Sequence, residues 1–269
     1  MLYRDRASVV ATLVVLGLIL AAFLQFPSRT FSLTVLGSPL TVNISQTGLI
    51  ALLLVGITCA GTDTIVRSHP TARRIEARYS FVTWTLPALT VVLSTVLLSR
   101  APTRLYQLGG YVLTGLILIL VISAEYYTVD PAGKRYLAAR LGLNGWAYLL
   151  AAVVFVLIYS AKARSLVSAT GVTLVSALLA LEFLRSAGRG FGRTALYAAI
   201  AGLCTGEIIW AMNYWRISGI TGGLILLVGF YAATGLANQQ LQGRLNRRVL
   251  VEFGVVALVG LAILLRFGP

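Results

Sequence analysis

Residues 8–26 read SVVATLVVLGLILAAFLQF, an apolar run with no charged residue anywhere in it. A membrane-crossing helix needs about 20 consecutive mostly apolar residues, and this run is of that length. It exceeds the roughly 7–15 residues of a signal-peptide core. No A-x-A cleavage pattern precedes Pro27, so the run is expected to be a retained span acting as a signal anchor.

Eight further segments repeat the pattern: 48–66, 81–99, 109–127, 145–161, 166–184, 194–213, 219–238 and 249–265. Each is bounded by Pro, Gly or Arg clusters. The composition agrees with them. Of 269 residues, 58% are hydrophobic and 11% charged, with a mean hydropathy of +0.88, whereas soluble domains carry about 25% charged residues. So little charge cannot coat a water-soluble globule. The expected fold is an all-α integral membrane protein of about nine transmembrane helices, forming a single polytopic domain over residues 1–269. A multi-pass cell-membrane protein is implied, and a prokaryotic plasma membrane is the expected setting.

The net charge of +14 does not point to nucleic acid, because the basic residues recur as short clusters between apolar runs. Fifteen of the 22 Lys and Arg fall in one set of alternate loops, including Arg73, Arg74, Lys134, Arg135, Arg189 and Arg193. By the positive-inside rule that set is cytoplasmic. The N-terminus is then inside and Pro269 outside.

Two segments between spans have patterns of their own. In residues 31–45, Phe31, Leu33 and Val35 alternate with polar residues before Gly37-Ser38-Pro39, and Leu40, Val42 and Ile44 alternate after it. Period two around a turn predicts a β-hairpin. It lies on the external side, where it would lid the bundle or pair with a protein partner. In residues 130–144, Tyr136, Leu137, Arg140 and Leu141 recur at helical spacing. That predicts a short helix on the cytoplasmic interface, its basic side toward anionic headgroups.

The acidic residues divide by depth. Glu125, Glu182 and Glu252 fall near cytoplasmic span ends and are expected to pair or snorkel, Glu182 with Arg185 or Arg189 and Glu252 with Arg248. Asp63 and Glu207 lie deeper. Glu207 sits in LCTGEIIWAMNYWR, residues 203–216, beneath an aromatic belt that includes Trp210, Tyr214 and Trp215. A ridge of Ala195, Ala199, Gly202 and Gly206 beside it predicts close helix packing, with Glu207 facing protein. Glu207, Asp63, Cys204 and Tyr214 are therefore the candidates for handling an ion or substrate. An echo of CAGTD (59–63) in CTGE (204–207) is too short to establish an internal repeat.

The stretch GRGFGR, residues 188–193, places Arg189, Gly190 and Arg193 just before a helix N-terminus, where free N–H groups and guanidinium groups can hold an anionic lipid or phosphate. It lacks the Lys-Ser/Thr ending of a P-loop. His69, the single histidine, stands in a loop, and the two cysteines have no zinc spacing. No catalytic set, metal site or cofactor motif is read. Three functions remain in competition: a permease-like protein moving a small solute, ion or lipid through or beside the bundle; a non-catalytic subunit or scaffold; and an enzyme on a lipid-linked substrate. The enzyme would need two acids in one cleft.

Overall fold

The computed structural model describes residues 3–23, 29–35, 38–44, 46–71, 77–187, 190–215 and 217–267. Among these are nine α-helices: α1 (Tyr3–Phe23), α2 (Gln46–Arg67), α3 (Thr85–Ser99), α4 (Arg104–Tyr127), α5 (Tyr136–Ser160), α6 (Ser165–Leu184), α7 (Phe191–Met212), α8 (Gly219–Leu241) and α9 (Arg247–Phe267). Among the described residues, eight helical segments are long and apolar enough to cross a membrane. Large apolar side chains also cover the outside: Leu52, Leu120, Leu174 and Leu258 are each more than 60% exposed. Such a surface suits lipid, and the molecule is a helical membrane protein.

Between α1 and α2 two strands, β1 (Arg29–Val35) and β2 (Ser38–Ile44), pair antiparallel. Their register sets Phe31 opposite Val42 and Leu33 opposite Leu40, while Thr30 faces Asn43 and Ser32 faces Thr41. Apolar and polar pairs thus alternate along the ribbon. Ser38 and Pro39 belong to the second strand, not to the turn. Ser45 lies outside the described residues.

By their contacts the helices fall into two compact units, one of residues 1–76 with 86–140 and one of residues 77–85 with 141–269. One correction concerns residues 130–144, which are not a separate interfacial helix: Tyr136 to Asn144 are the opening turns of α5. No proline interrupts that stretch, and Gly142 and Gly145 cost a helix only about 1 kcal/mol each relative to Ala. The 25 residues of α5 span about 37 Å at 1.5 Å per residue, more than the roughly 30 Å of hydrocarbon. Before it, Asp130 makes a tight turn, its Oδ1 accepting from Ala132 N at 3.1 Å.

The third span is entered through a 3₁₀ stretch, Ala77–Trp84, and becomes α-helical at Thr85. Pro87 explains the change. Its ring would clash with a carbonyl four residues earlier in a continuing α-helix, but in a first turn its missing N–H needs no partner.

In the first unit, Ala11, Val14 and Leu18 of α1 pack with Leu54 of α2, Val91 and Leu98 of α3 and Leu118 of α4. Small residues bring the helices together: Gly17 rests on Leu54, and Gly61 on Val10. In the second unit an aromatic cluster joins α5, α6 and α8, with ring centroids 4.4 Å apart for Tyr148 and Phe183 and 5.8 Å for Phe155 and Phe230. The glycine-rich start of α8 serves packing: Gly222 lies on Tyr159, and a Cβ at Gly223 would stand 2.6 Å from the Val156 backbone. At the same end, Tyr159 Oη donates to the Met212 carbonyl at 3.1 Å and Asn213 Nδ2 to Ser168 Oγ at 2.9 Å.

Candidate functional site

The candidates from the sequence fall in different places. Asp63, in the first unit, accepts from Arg67 Nε one turn along α2 at 2.7 Å, with the Asp63 side chain 22% exposed. Its charge is balanced on its own helix. In the second unit, Glu182 pairs with Arg185 at 3.0 Å, both largely buried, while Arg248 and Glu252 pair at 2.9 Å in the open. Gly190, at φ 72°, precedes α7 as its N-cap without a side-chain capping bond, and Arg193 is exposed. Arg189 lies outside the described residues.

Glu207 requires a correction, because its side chain is exposed rather than packed against protein. The buried face of α7 runs through Thr194, Ala198, Ala201, Gly202, Thr205, Gly206 and Ile209. At about 100° per residue, Glu207 stands opposite the middle of that face. Ala199, read as part of the ridge, is exposed as well. The small residues do mediate close packing, since a Cβ at Gly202 would meet Ala177 of α6 at 2.8 Å and Gly206 presses on Thr173. They do so on the other side of the helix. Glu207 shares its face with Leu196, Ile200, Leu203 and Trp210, each 44–58% exposed. Cys204 is exposed nearby, and Tyr214, 76% exposed, lies just past the end of α7. Glu207 stands about a turn and a half before the end of α7 at Met212 and puts a carboxyl on an otherwise apolar exposed face.

A site that the sequence reading did not single out lies in the first unit, at the end of the helices where α1 and α3 finish and α2 and α4 begin. A pocket of about 240 Å³ opens there. Leu18, Ile50 and Leu98 line its apolar side, and Gln46, Thr47, Thr95, Ser99, Gln107 and Tyr111 supply polar groups. None of these described lining residues is charged. Local structure sets the polar groups. Thr103 N-caps α4 by accepting from Tyr106 N, which starts the helix so that Gln107 and Tyr111 fall one turn apart on one face. Gln46 donates to the Ala21 carbonyl at 2.9 Å, and Thr95 to that of Val91 at 2.8 Å. The Gln107 amide and the Tyr111 hydroxyl bond to no other described side chain or backbone group, and both residues are half-buried. Both side chains can donate hydrogen bonds to, and accept them from, a group that enters the pocket.

Tyr111 also lines a second space, an apolar groove of about 400 Å³ between α1 and α4. Thr12, Val15 and Ile19 form one wall, and Val112, Gly115 and Ile119 the other. Gly115 lets α4 approach α1 closely here, since a Cβ would stand 3.2 Å from Val15. A polar uncharged pocket and a long apolar groove therefore share one tyrosine. Such a pair of spaces is matched to an amphiphile: hydrogen-bonding groups for the head, an apolar wall for the tail.

Helices of this length and outer surface define the class, a multi-pass helical membrane protein. Within that class, the chain belongs to the DUF5656 family, described as a protein of unknown function, whose pattern matches residues 26–267. No curated protein and no solved structure matches it.

Proposed function

We propose that this is a permease-like protein that takes up an amphiphile beside its first helical unit, seating the polar head among Gln46, Gln107 and Tyr111 and the chain between α1 and α4. The observation that carries the reading is the shared Tyr111, which joins the polar pocket to the apolar groove. On the orientation that the charge bias favours, this end of the helices would face the outside. Arg100, next in sequence to Ser99, and Arg104, one helical turn before Gln107, are both exposed and would then attract a headgroup phosphate at the rim. The hairpin comes next after α1 in the chain and, on that orientation, would cover the mouth, while the basic loops of the other side would hold anionic headgroups of the opposite leaflet.

The test uses the purified full chain in vesicles with a phosphatidylglycerol carrying a photoactivatable group on its acyl chain. Labelling should concentrate on peptides from α1 and α4, and Gln107→Leu with Tyr111→Ala should reduce it. A fluorescent form of the same lipid, followed by quenching from outside, should cross the bilayer faster with the native chain than with the double variant. Even labelling of all helices, unchanged by the substitutions, would remove the basis of the proposal.

The subunit reading keeps one specific observation in its favour, the exposed face of α7 that carries Glu207.

A further inference from the structure

We propose that the pocket and groove of the first unit select one class of amphiphile, an ester-linked anionic glycerophospholipid. Its chain lies against α1 and α4, its ester carbonyls meet Tyr111 and Gln107, and its phosphate sits at Arg100 and Arg104. The inference rests on the amphiphile reading above and adds what each level of the site recognises. Arg104, Gln107 and Tyr111 follow one another at three and four residues on α4, a spacing that puts them in one stripe along the helix. At 1.5 Å per residue, Gln107 stands about 4.5 Å and Tyr111 about 10 Å along the axis from Arg104. Past Tyr111 the wall is apolar, with Val112, Gly115 and Ile119 lining the groove. Cation, uncharged donor and apolar wall therefore come in a fixed order.

The cations select the charge of the head. Arg100 stands in the short turn between α3 and α4, its N–H bonded to the Leu97 carbonyl at 3.1 Å, and Arg104 opens α4. Among the described residues neither guanidinium has an acidic partner. The described acids of this unit stand elsewhere: Asp5 where α1 begins, Asp63 and Glu125 where α2 and α4 end, and Asp130 just past α4. The anion is therefore left for the ligand to bring, and Arg holds phosphate by charge-assisted hydrogen bonds.

The uncharged zone selects the linkage. A glycerophospholipid has ester carbonyls between chain and phosphate, the same order as the site. Those carbonyls accept and do not donate, while the Tyr111 hydroxyl and the Gln107 amide both donate. A sugar joined straight to the chain would satisfy the amide and the phenol but bring no anion to the arginines. A zwitterionic lipid would bring an ammonium as well, and none of the described lining residues is an acid that could receive it.

The test reconstitutes the full chain in phosphatidylcholine vesicles with a trace of lipid that always bears the same photoactivatable chain. Its remaining part is varied: phosphatidylglycerol, phosphatidylcholine, glucosyl diacylglycerol, or phosphatidylglycerol with ether in place of ester linkages. Phosphatidylglycerol should label α1 and α4 about 10-fold more than phosphatidylcholine or the glycolipid. Arg100→Gln with Arg104→Gln should remove that preference, and the paired Lys substitutions should keep most of it. The ether lipid should label about threefold less than the ester, and Gln107→Leu with Tyr111→Phe should make the two alike. A glycolipid that labels as well as phosphatidylglycerol, a preference that survives loss of both arginines, or equal labelling by ester and ether would each overturn the inference. Absence of labelling on α1 and α4 by every lipid would instead defeat the amphiphile reading, and this inference with it.

Discussion

Gly202 of α7 faces the Thr173 carbonyl of α6 so directly that a Cβ on the glycine would stand 2.7 Å from that oxygen. The obstacle is backbone, which cannot swing aside as a side-chain tip can. Gly202→Val should therefore force the helices apart and destabilise the second unit by about 2–3 kcal/mol. Gly192, on the same helix, has nothing within 4 Å of a Cβ, so Gly192→Ala should be neutral or stabilising by up to about 1 kcal/mol. Thermal unfolding in detergent checks both, and equal losses at the two sites would contradict the packing.

Asp63 should tolerate neutralisation. Its partner Arg67 is 62% exposed, and the pair is an i,i+4 contact on one helix, a geometry worth about 0.5 kcal/mol or less. Asp63→Asn should leave the unfolding temperature and the acyl-chain photolabelling unchanged. A large loss of either would give Asp63 a role beyond this pair.

The two arginine–glutamate pairs of the second unit should respond differently. Arg185→Ala removes an ion pair from a Glu182 side chain that is 1% exposed, and breaking a buried pair costs about 3 kcal/mol or more. Arg248→Ala releases a Glu252 that is 57% exposed, which should cost about 0.5 kcal/mol. Restoring stability to Arg185→Ala with Glu182→Gln would tie the loss to the buried carboxylate.

Topology can be read by labelling single cysteines in intact cells with an impermeant maleimide. Ser38→Cys and Ala161→Cys should label from outside, whereas Ala132→Cys and Ala187→Cys should label only after the membrane is opened. The reverse pattern would invert the orientation drawn from the positive-inside bias.

The spans were the most legible part of the sequence. The run at 166–184 became Ser165–Leu184, and 8–26 became Tyr3–Phe23, because apolar length alone sets them. Rotation about each axis was not legible. In water, a polar stripe marks the outer face of a helix. In lipid the surroundings are as apolar as the core, so Leu196 and Leu203 looked no different from buried leucines. Ala195 and Ala199 then suggested a packing ridge, when the contact face actually runs through Ala198, Gly202 and Thr205, and Glu207 was turned inward with it. The pocket escaped for another reason. Span windows beginning at 48 and 109 left Gln46 and Gln107 in the loops, yet both stand within the first turns of their helices. An uncharged amide just inside a span was the available signal.

Thr58, Thr95, Thr114 and Thr205 are buried among the helices, and each hydroxyl donates to the carbonyl four residues earlier on its own helix at 2.7–2.8 Å. A hydroxyl whose proton is held by its own backbone is not a link in a proton relay, which requires a donor free to turn toward the next acceptor. These four hydroxyls are thus spent on their own helices: they let a polar residue sit inside the packing without asking a neighbouring helix for a partner.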